Sequence, residues 1–490
     1  MKAPDLAKFP DLVVQGRRLV WDSRQRADGR AELVFVPMDA PPEVSQALMQ
    51  RANARFVLAP NHAVSVPESS IERVAHPRRA LGLRASEALG HPSKHLRVFA
   101  ITGTNGKTTC AGLLRTLIQE AGFRVAEIGT LGLSVWEGDA SAPLFHMETG
   151  FTTPEAPTLH HLFRQLVDRG VTHVVMEASS HGLELGRLEG VEFGGALFTN
   201  LTQDHLDFHS SMEAYEAAKG RLFRELLPWS RAQGRAVAAV FMGSTPAGER
   251  LFRSVANEYP AVLLQEDVDY RLESSTLAGL RIGLRKMILE SPMVGRFHAE
   301  NIVGSVELAR LALGLEESVL VRGIRRFEGA RGRLERVGDS TGRGRAVFVD
   351  YAHTPDAVVK ALQALREVAS QGTRLSVVIG CGGDRDRSKR PVMARAAMAG
   401  ADRVYLTSDN PRTEDPERIL DEMAAGLQHA DFARCERITD RRAAIRAAVQ
   451  GLSAGDVCLV AGKGHETYQI VGLEKRPFSD REECLLALRG

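Results

Sequence analysis

Apolar residues along the chain recur in two alternating periods from about residue 97 onward. Arg97 to Thr102 (RVFAIT) is a short apolar run of the kind buried in a parallel sheet. The segment after it places Cys110, Leu113, Leu114, Leu117, Ile118 and Ala121 on one helical face. RVAEIGT (124–130) predicts a second strand. A helix is expected around Leu159, Leu162, Phe163 and Leu166, then strands over THVVMEAS (172–179) and GALFTNLT (195–202). The Gly- and Arg-rich stretch 328–345 breaks this rhythm. Beyond it AVFVDYA (346–352), RLSVVIGC (374–381), RVYLTSDN (403–410) and VCLVAGKG (457–464) read as strands separated by helices. Strand–helix alternation predicts an α/β fold with mainly parallel sheets.

The 490 residues correspond to about three domains at roughly 150 residues each. The expected division is 1–92, 93–331 and 332–490, with HPSK (91–94) as a linker and the first part less regular than the rest. Hydrophobic residues make up 44% and charged residues 25%, as in ordinary globular chains. Lys and Arg number 63 against 61 Asp and Glu, which argues against a nucleic-acid coat or a polybasic membrane binder. The five cysteines are scattered and none has CxxC spacing, so a reducing cytoplasm with free thiols is expected. The N-terminal residues lack the apolar core of a signal peptide, and no run approaches the ~18 apolar residues that span a bilayer.

The chemistry begins at GTNGKTT (103–109), which joins the first strand to a helix. A glycine-rich turn of this kind aims backbone N–H groups at phosphate, and the helix N-terminus adds partial positive charge. Lys107 is suited to β- and γ-phosphates and Thr108 to Mg²⁺. The usual loop has a glycine at the position of Ile101, so this loop is shortened. ATP and GTP both remain open at this point.

TGTNGKTT resembles the signature of the Mur ligases and their folylpolyglutamate synthetase relatives, ATP-dependent enzymes that form amide bonds. MEASSHGLELGR (176–187), NLTQDHLDFH (200–209), YEAAKGRLF (215–223), VDYAHTPDA (349–357), CGGDRDRSKRP (381–391), SDNPRTEDP (408–416) and GKGHE (462–466) are similar to further blocks of that family, in family order. They look like those of its diaminopimelate-adding members. The resemblance implies three domains: a uridine-nucleotide domain, a central P-loop ATPase-type domain and a C-terminal Rossmann-like domain. It also implies two substrates, UDP-N-acetylmuramoyl-L-Ala-D-Glu and meso-diaminopimelate, joined through an acyl phosphate by a cytoplasmic monomer.

By resemblance, Gly103, Thr104, Asn105, Gly106, Lys107, Thr108 and Thr109 cradle ATP, with Asn301, Arg333 and Asp350 as further nucleotide contacts from two domains, so that closure accompanies binding. Taken alone, Asn301, Arg333 and Asp350 read equally as turn or cap residues. Thr108, Glu177, His205 and a carbamylated Lys219 would hold two Mg²⁺ ions. Glu177 suits a hard ion best; Lys219, taken alone, reads as a solvated helix lysine.

Thr152, Thr153, Ser179 and Arg187 match contacts to the muramoyl-dipeptide, although Leu185 stands where the family usually has Gln. Arg385, Asp409, Asn410, Pro411, Arg412, Gly462 and Glu466 match the amino-acid pocket. A guanidinium grips a carboxylate bidentately, so Arg412 would separate diaminopimelate from lysine by the extra carboxylate. Ser23, in WDSR (21–24), is the candidate for the uridine diphosphate, but the glycine-rich stretch expected after LVFVPMDA (33–40) is replaced by PPEVSQALMQ. Three other readings stand beside this one: another Mur or folylpolyglutamate-type ligase without the DNPR block, a P-loop ATPase, and a non-catalytic nucleotide-binding regulator.

Overall fold

The computed structural model describes residues 11–26, 29–38, 40–62, 66–205, 208–338 and 344–489. The N-terminal ten residues, Asp39 of LVFVPMDA, residues 206–207 of the NLTQDHLDFH block and residues 339–343 of the Gly- and Arg-rich stretch lie outside these. The chain divides into two compact units, one of residues 1–269 and 301–323, the other of 270–300 and 324–490.

The first unit holds two sheets. The smaller contains five short strands, Val13–Val14, Arg17–Val20, Glu32–Phe35, Ala54–Leu58 and Ile71–Arg73, parallel except for the first pair. The larger has eight strands. From one edge they run Ala261–Leu264, Ala238–Met242, Phe193–Phe198, Arg97–Thr102, His173–Glu177, Val125–Gly129, Gly132–Trp136 and Phe145–Met147. Its first six strands are parallel, and helices cover both faces, as the apolar runs RVFAIT and HVVME require. Cys110, Leu113, Leu114, Leu117 and Ile118 of the helix Lys107–Glu120 are all fully buried, as the predicted apolar face requires, while Ala121 caps the helix and is only partly buried.

The order of strands positions the chemistry. Arg97–Thr102 lies between His173–Glu177 and Phe193–Phe198, with Ile101 opposite Glu177 and Thr102 opposite Phe198. Three parallel strands therefore deliver their carboxyl ends side by side, where open α/β sheets gather ligands. HPSK is not an open linker: Pro92–His95 forms a short 3₁₀ turn whose Ser93 is fully buried and accepts a hydrogen bond from Glu192 N at 3.1 Å.

The second unit is built on a six-stranded sheet in the order Glu335–Val337, Ala346–Asp350, Val457–Ala461, Leu375–Cys381, Arg403–Ser408 and Cys435–Arg437. All its pairings are parallel except the first. It also contains a three-stranded antiparallel sheet over residues 270–291 and a hairpin of Tyr468–Val471 with Glu474–Pro477. Asp350, Cys381, Ser408 and Ala461 are the last residues of their strands, so the motifs that follow them open at one end of the sheet. Among the described residues, no helix is long and apolar enough to cross a membrane.

Candidate active site

The loop between strand Arg97–Thr102 and helix Lys107–Glu120 is pressed against its neighbours. Gly103 has φ +146° and a Cβ there would lie 1.9 Å from Thr199 Oγ1; Gly106 has φ +86° and its Cβ would lie 2.3 Å from Asn301 Oδ1. Both positions therefore need glycine. Thr104 N donates to Asn200 O at 2.9 Å, and Asn105 N to Asn200 Oδ1 at 2.9 Å. The helix opens directly after Gly106, leaving Thr108 and Thr109 in its first turn.

Lys107 Nζ donates to the carbonyls of Gly103 at 2.8 Å and Thr104 at 2.7 Å. Lys219, from the helix Met212–Arg221, donates to the same Gly103 carbonyl at 2.8 Å. Lys219 is 1% exposed, and its Nζ lies 4.4 Å from the centre of the Tyr215 ring. Burial, reinforced by the Lys107 charge, holds the Lys219 ammonium well below the usual lysine range. Lys219 is therefore not the solvated helix lysine that its sequence context suggests.

Glu177 closes the other side of the loop. Its Oε1 accepts from Thr108 Oγ1 at 3.0 Å and from Thr130 N at 2.8 Å, and its Oε2 accepts from Thr130 Oγ1 at 3.1 Å. The Thr108 hydroxyl and the Glu177 carboxylate are oxygen donors set beside the glycine-rich loop, the donor chemistry that Mg²⁺ prefers. Among the described residues no three His, Cys, Asp or Glu side chains converge on one point. His205 has φ +52° and its ring lies 5.1 Å from that of His181 and 6.1 Å from that of Tyr215.

Thr152, Thr153, Ser179 and Arg187 come together next to Glu177. Thr152 Oγ1 lies 3.2 Å from Thr130 Oγ1, and Thr153 Oγ1 donates to Glu177 O at 2.9 Å. Ser179 caps the short helix Ser180–Glu184 by accepting from Gly182 N at 3.1 Å, and its hydroxyl lies 3.1 Å from Thr153 Oγ1. Arg187 Nη1 donates to Thr153 O at 3.0 Å; its Nη2 pairs with Glu155 at 2.7 Å, and its guanidinium stacks over Phe151. Leu185, at the end of that helix, offers no polar side-chain atom, so the hydrogen bond expected of Gln is absent there.

Ser23 sits apart, half-buried in a turn after strand Arg17–Val20. Gln25 Oε1 fastens this turn by accepting from Trp21 N and Asp22 N at 2.8 and 3.0 Å. A buried Arg18–Glu32–Arg51 network supports it from below through the carbonyls of Arg26 and Gln25.

In the second unit, Asp350 accepts from Leu334 N at 2.6 Å and Ala352 N at 2.8 Å, and burial raises its carboxyl above the usual range. Arg333 stacks over the Tyr351 ring, 5.2 Å from its centre, and Gly462 N donates to Asp350 O at 3.1 Å. Arg412 has φ +51°, and its Nη1 donates to Gly383 O at 2.8 Å. Gly382 lies between two arginines: a Cβ on it would be 2.9 Å from Arg412 Nη1 and 3.7 Å from Arg385 Cγ. Asn410 Nδ2 donates to Glu466 Oε2 at 3.0 Å. Burial raises the Asp409 carboxyl, against the opposing charges of Arg441 and Lys463. Pro411 lies between Asn410 and Arg412 and is buried.

Three residues that the sequence reading did not single out complete this geometry. Thr130, at the end of RVAEIGT, holds both oxygens of Glu177. Gln469 Nε2 donates to Asp409 O at 2.6 Å. Lys463 Nζ reaches Asn410 Oδ1 at 3.0 Å and Glu466 Oε2 at 2.9 Å. Each of these except Gln469 follows the last residue of a parallel strand within two positions, which was the available signal.

Known proteins similar to this chain belong to one family. The Mur ligase middle domain matches residues 101–309, and the Mur ligase glutamate ligase domain matches residues 332–464. The UDP-N-acetylmuramoyl-L-alanyl-D-glutamate–2,6-diaminopimelate ligase of Leptospira interrogans is 40% identical over 437 residues, covering 86% of this chain and 83% of that protein. The ligase of the same name from Geobacillus kaustophilus is 37% identical over 488 residues, covering 98% and 95%. A solved structure of such a ligase superposes with a TM-score of 0.69 at 33% identity, covering 96% of this chain and 94% of the other. The sequence blocks, the glycine-rich loop and these matches lead to one conclusion: the chain belongs to the Mur ligase family.

Proposed function

We propose that this protein joins meso-2,6-diaminopimelate to the γ-carboxylate of D-Glu in UDP-N-acetylmuramoyl-L-Ala-D-Glu, using ATP, in the synthesis of peptidoglycan precursors. The observation that carries the choice of amino acid is the turn around Gly382, flanked by Arg385 and Arg412. Two arginines flanking one turn suit an acceptor that brings carboxylates, while Glu466 beside Asn410 suits an ammonium. The relatives described above carry the name of this reaction.

A carboxylate is a poor electrophile, so its oxygen first takes the γ-phosphoryl group of ATP, giving an acyl phosphate and ADP. The incoming amine then attacks the acyl carbon. The new C–N bond forms as the C–O bond to phosphate breaks, inorganic phosphate leaves, and the amine gives up a proton. Bringing anions together demands fixed positive charge and preorganised N–H groups. Residues Gly103 to Thr109 supply the backbone cradle, and Lys107 turns from the loop carbonyls to the γ-phosphate. Asn301, Arg333 and Asp350 hold the nucleotide, while Thr152, Thr153, Ser179 and Arg187 hold the muramoyl-dipeptide.

Magnesium, when bound, offsets phosphate charge; Thr108, Glu177, His205 and Lys219 would hold it, as two ions. Burial lowers the Lys219 ammonium from its usual range, which favours the amine that takes up CO₂ as a carbamate and turns a lysine into an anionic ligand. Residues 1–92, with Ser23, carry the uridine nucleotide; residues 93–331 bind ATP and residues 332–490 the amino acid. The protein works as a cytoplasmic monomer.

The test is ADP release with UDP-N-acetylmuramoyl-L-Ala-D-Glu and Mg²⁺ in the presence of meso-diaminopimelate, of L-lysine, or of no amino acid. Turnover that requires diaminopimelate supports the proposal. Turnover without an acceptor would point to a simple ATPase, and none under any condition to a non-catalytic nucleotide binder.

A further inference from the structure

Lys463 is fully buried, yet none of the roles above uses it. A buried ammonium is retained only where partners compensate its lost hydration. Its Nζ donates to Asn410 Oδ1 at 3.0 Å and to Glu466 Oε2 at 2.9 Å. Asn410 Oδ1 also accepts from Ile470 N at 2.9 Å, so two donors fix the orientation of the amide. Its Nδ2 is thereby committed to Glu466 Oε2, at 3.0 Å. Both donors meet the same oxygen, and Glu466 Oε1 has no hydrogen bond among the described residues. Burial works against the Glu466 carboxylate, but the hydrogen bond and charge of Lys463 hold it below the usual range.

The same cluster is fastened to the hairpin that follows it. Arg412 N donates to Ile470 O at 3.0 Å, Gly472 N donates to Arg412 O at 2.7 Å, and Gln469 Nε2 donates to Asp409 O at 2.6 Å. The segment Asp409–Arg412 is therefore held on one side by the hairpin backbone and on the other by one lysine.

We propose that Lys463 is the positioning residue of the amino-acid pocket: its ammonium locks Asn410 and Glu466 together so that Glu466 presents Oε1 to the ammonium group of diaminopimelate. The lysine touches no substrate itself. It also keeps Glu466 charged before the acceptor arrives, so the pocket is set in advance and the acceptor does not have to order it. This inference rests on the amino-acid-binding reading given above.

The test compares wild type with Lys463→Met, which keeps an unbranched side chain one atom shorter and removes its charge. Wild-type dependence on diaminopimelate is measured first; if it is lacking, the functional reading itself fails. With that in hand, K463M should raise the KM for diaminopimelate tenfold or more, with kcat within threefold and the KM values for ATP and the UDP-linked substrate within twofold. In the double variant with Glu466→Gln the effects should be clearly less than additive, because both act through one contact. A diaminopimelate KM within twofold of wild type, equal rises in all three KM values, or full additivity would overturn the inference. If K463M does not fold, Lys463→Arg, which keeps the charge but displaces it, should show the same selective rise in KM. Failure of both variants to fold would overturn it in favour of a purely structural lysine.

Discussion

Replacement of Arg412 by alanine isolates the charge that would distinguish diaminopimelate from lysine. The backbone of the turn should survive the change. Arg412 N and O make their hydrogen bonds to Ile470 O and from Gly472 N whatever the side chain, at 3.0 and 2.7 Å. The left-handed φ of +51° is no harder for alanine than for arginine. What disappears is the Nη1 bond to Gly383 O, 2.8 Å long, and the guanidinium offered to the distal carboxylate. A hydrogen bond to a charged group contributes about 1.5–3 kcal/mol. At 1.4 kcal/mol per factor of ten, this is roughly a tenfold to 150-fold loss in kcat/KM for diaminopimelate.

L-Lysine lacks that carboxylate, so its kcat/KM should stay within about twofold, and the KM for ATP should not move. Arg412→Lys should fall between wild type and alanine, because it keeps the charge and loses the fork. Steady-state ADP release with each amino acid varied in turn reads all of these quantities. Equal losses for diaminopimelate and lysine, or an unchanged ratio between them, would refute the assignment of Arg412 to the distal carboxylate.

Glu177→Gln keeps the shape of a fully buried residue while removing its charge, so the melting temperature should change little, while Mg²⁺-dependent turnover should fall by a factor of about 10²–10³, the scale of losing one key electrostatic group; retained turnover would remove Glu177 from the metal site. For Lys219, ¹³C-bicarbonate should yield a carbamate resonance in wild type and none in Lys219→Ala, and CO₂-depleted buffer should lower activity; no resonance and no loss would contradict the carbamate. His160 donates from Nε2 to Glu189 O at 2.9 Å and burial holds its imidazole down at about 4, so the folded protein keeps it neutral while the unfolded chain protonates near 6.5. Its contribution is fully present above pH 6.5 and is lost as pH falls towards 4, about 2 kcal/mol by pH 5. Denaturant unfolding of His160→Gln should show a smaller stability gap between pH 7.5 and pH 5 than wild type, and an equal gap would rule this histidine out.

Parallel strands announce themselves because both faces are buried: RVFAIT and VCLVA are continuous apolar runs, and their predicted ends lie within a few residues of the observed ones. The tight turn at 103–106 was equally legible, since Gly103 and Gly106 occupy positions where any Cβ would collide. The antiparallel strands of 270–291 were not read. Their residues alternate between exposed and buried with many polar side chains, and their pairing is fixed by turns rather than by apolar runs. The order at 91–94 was not legible for a related reason: Pro and Ser suggest a loop, but Ser93 is buried through a contact nearly a hundred residues away. At the site, residue types suggested who might touch a ligand but not who holds whom. Thr130 hydrogen-bonds Glu177, and Lys463 hydrogen-bonds Asn410 and Glu466; such pairings arise only when segments distant in sequence end side by side.

The central claim is tested most directly by product mass. The protein is incubated with UDP-N-acetylmuramoyl-L-Ala-D-Glu, ATP, Mg²⁺ and equal amounts of meso-diaminopimelate and L-lysine, and the uridine-containing products are weighed. The account predicts that the diaminopimelate adduct predominates and that one ADP and one phosphate accompany each new amide bond. A predominant lysine adduct, or ADP released without any amide product, would contradict it.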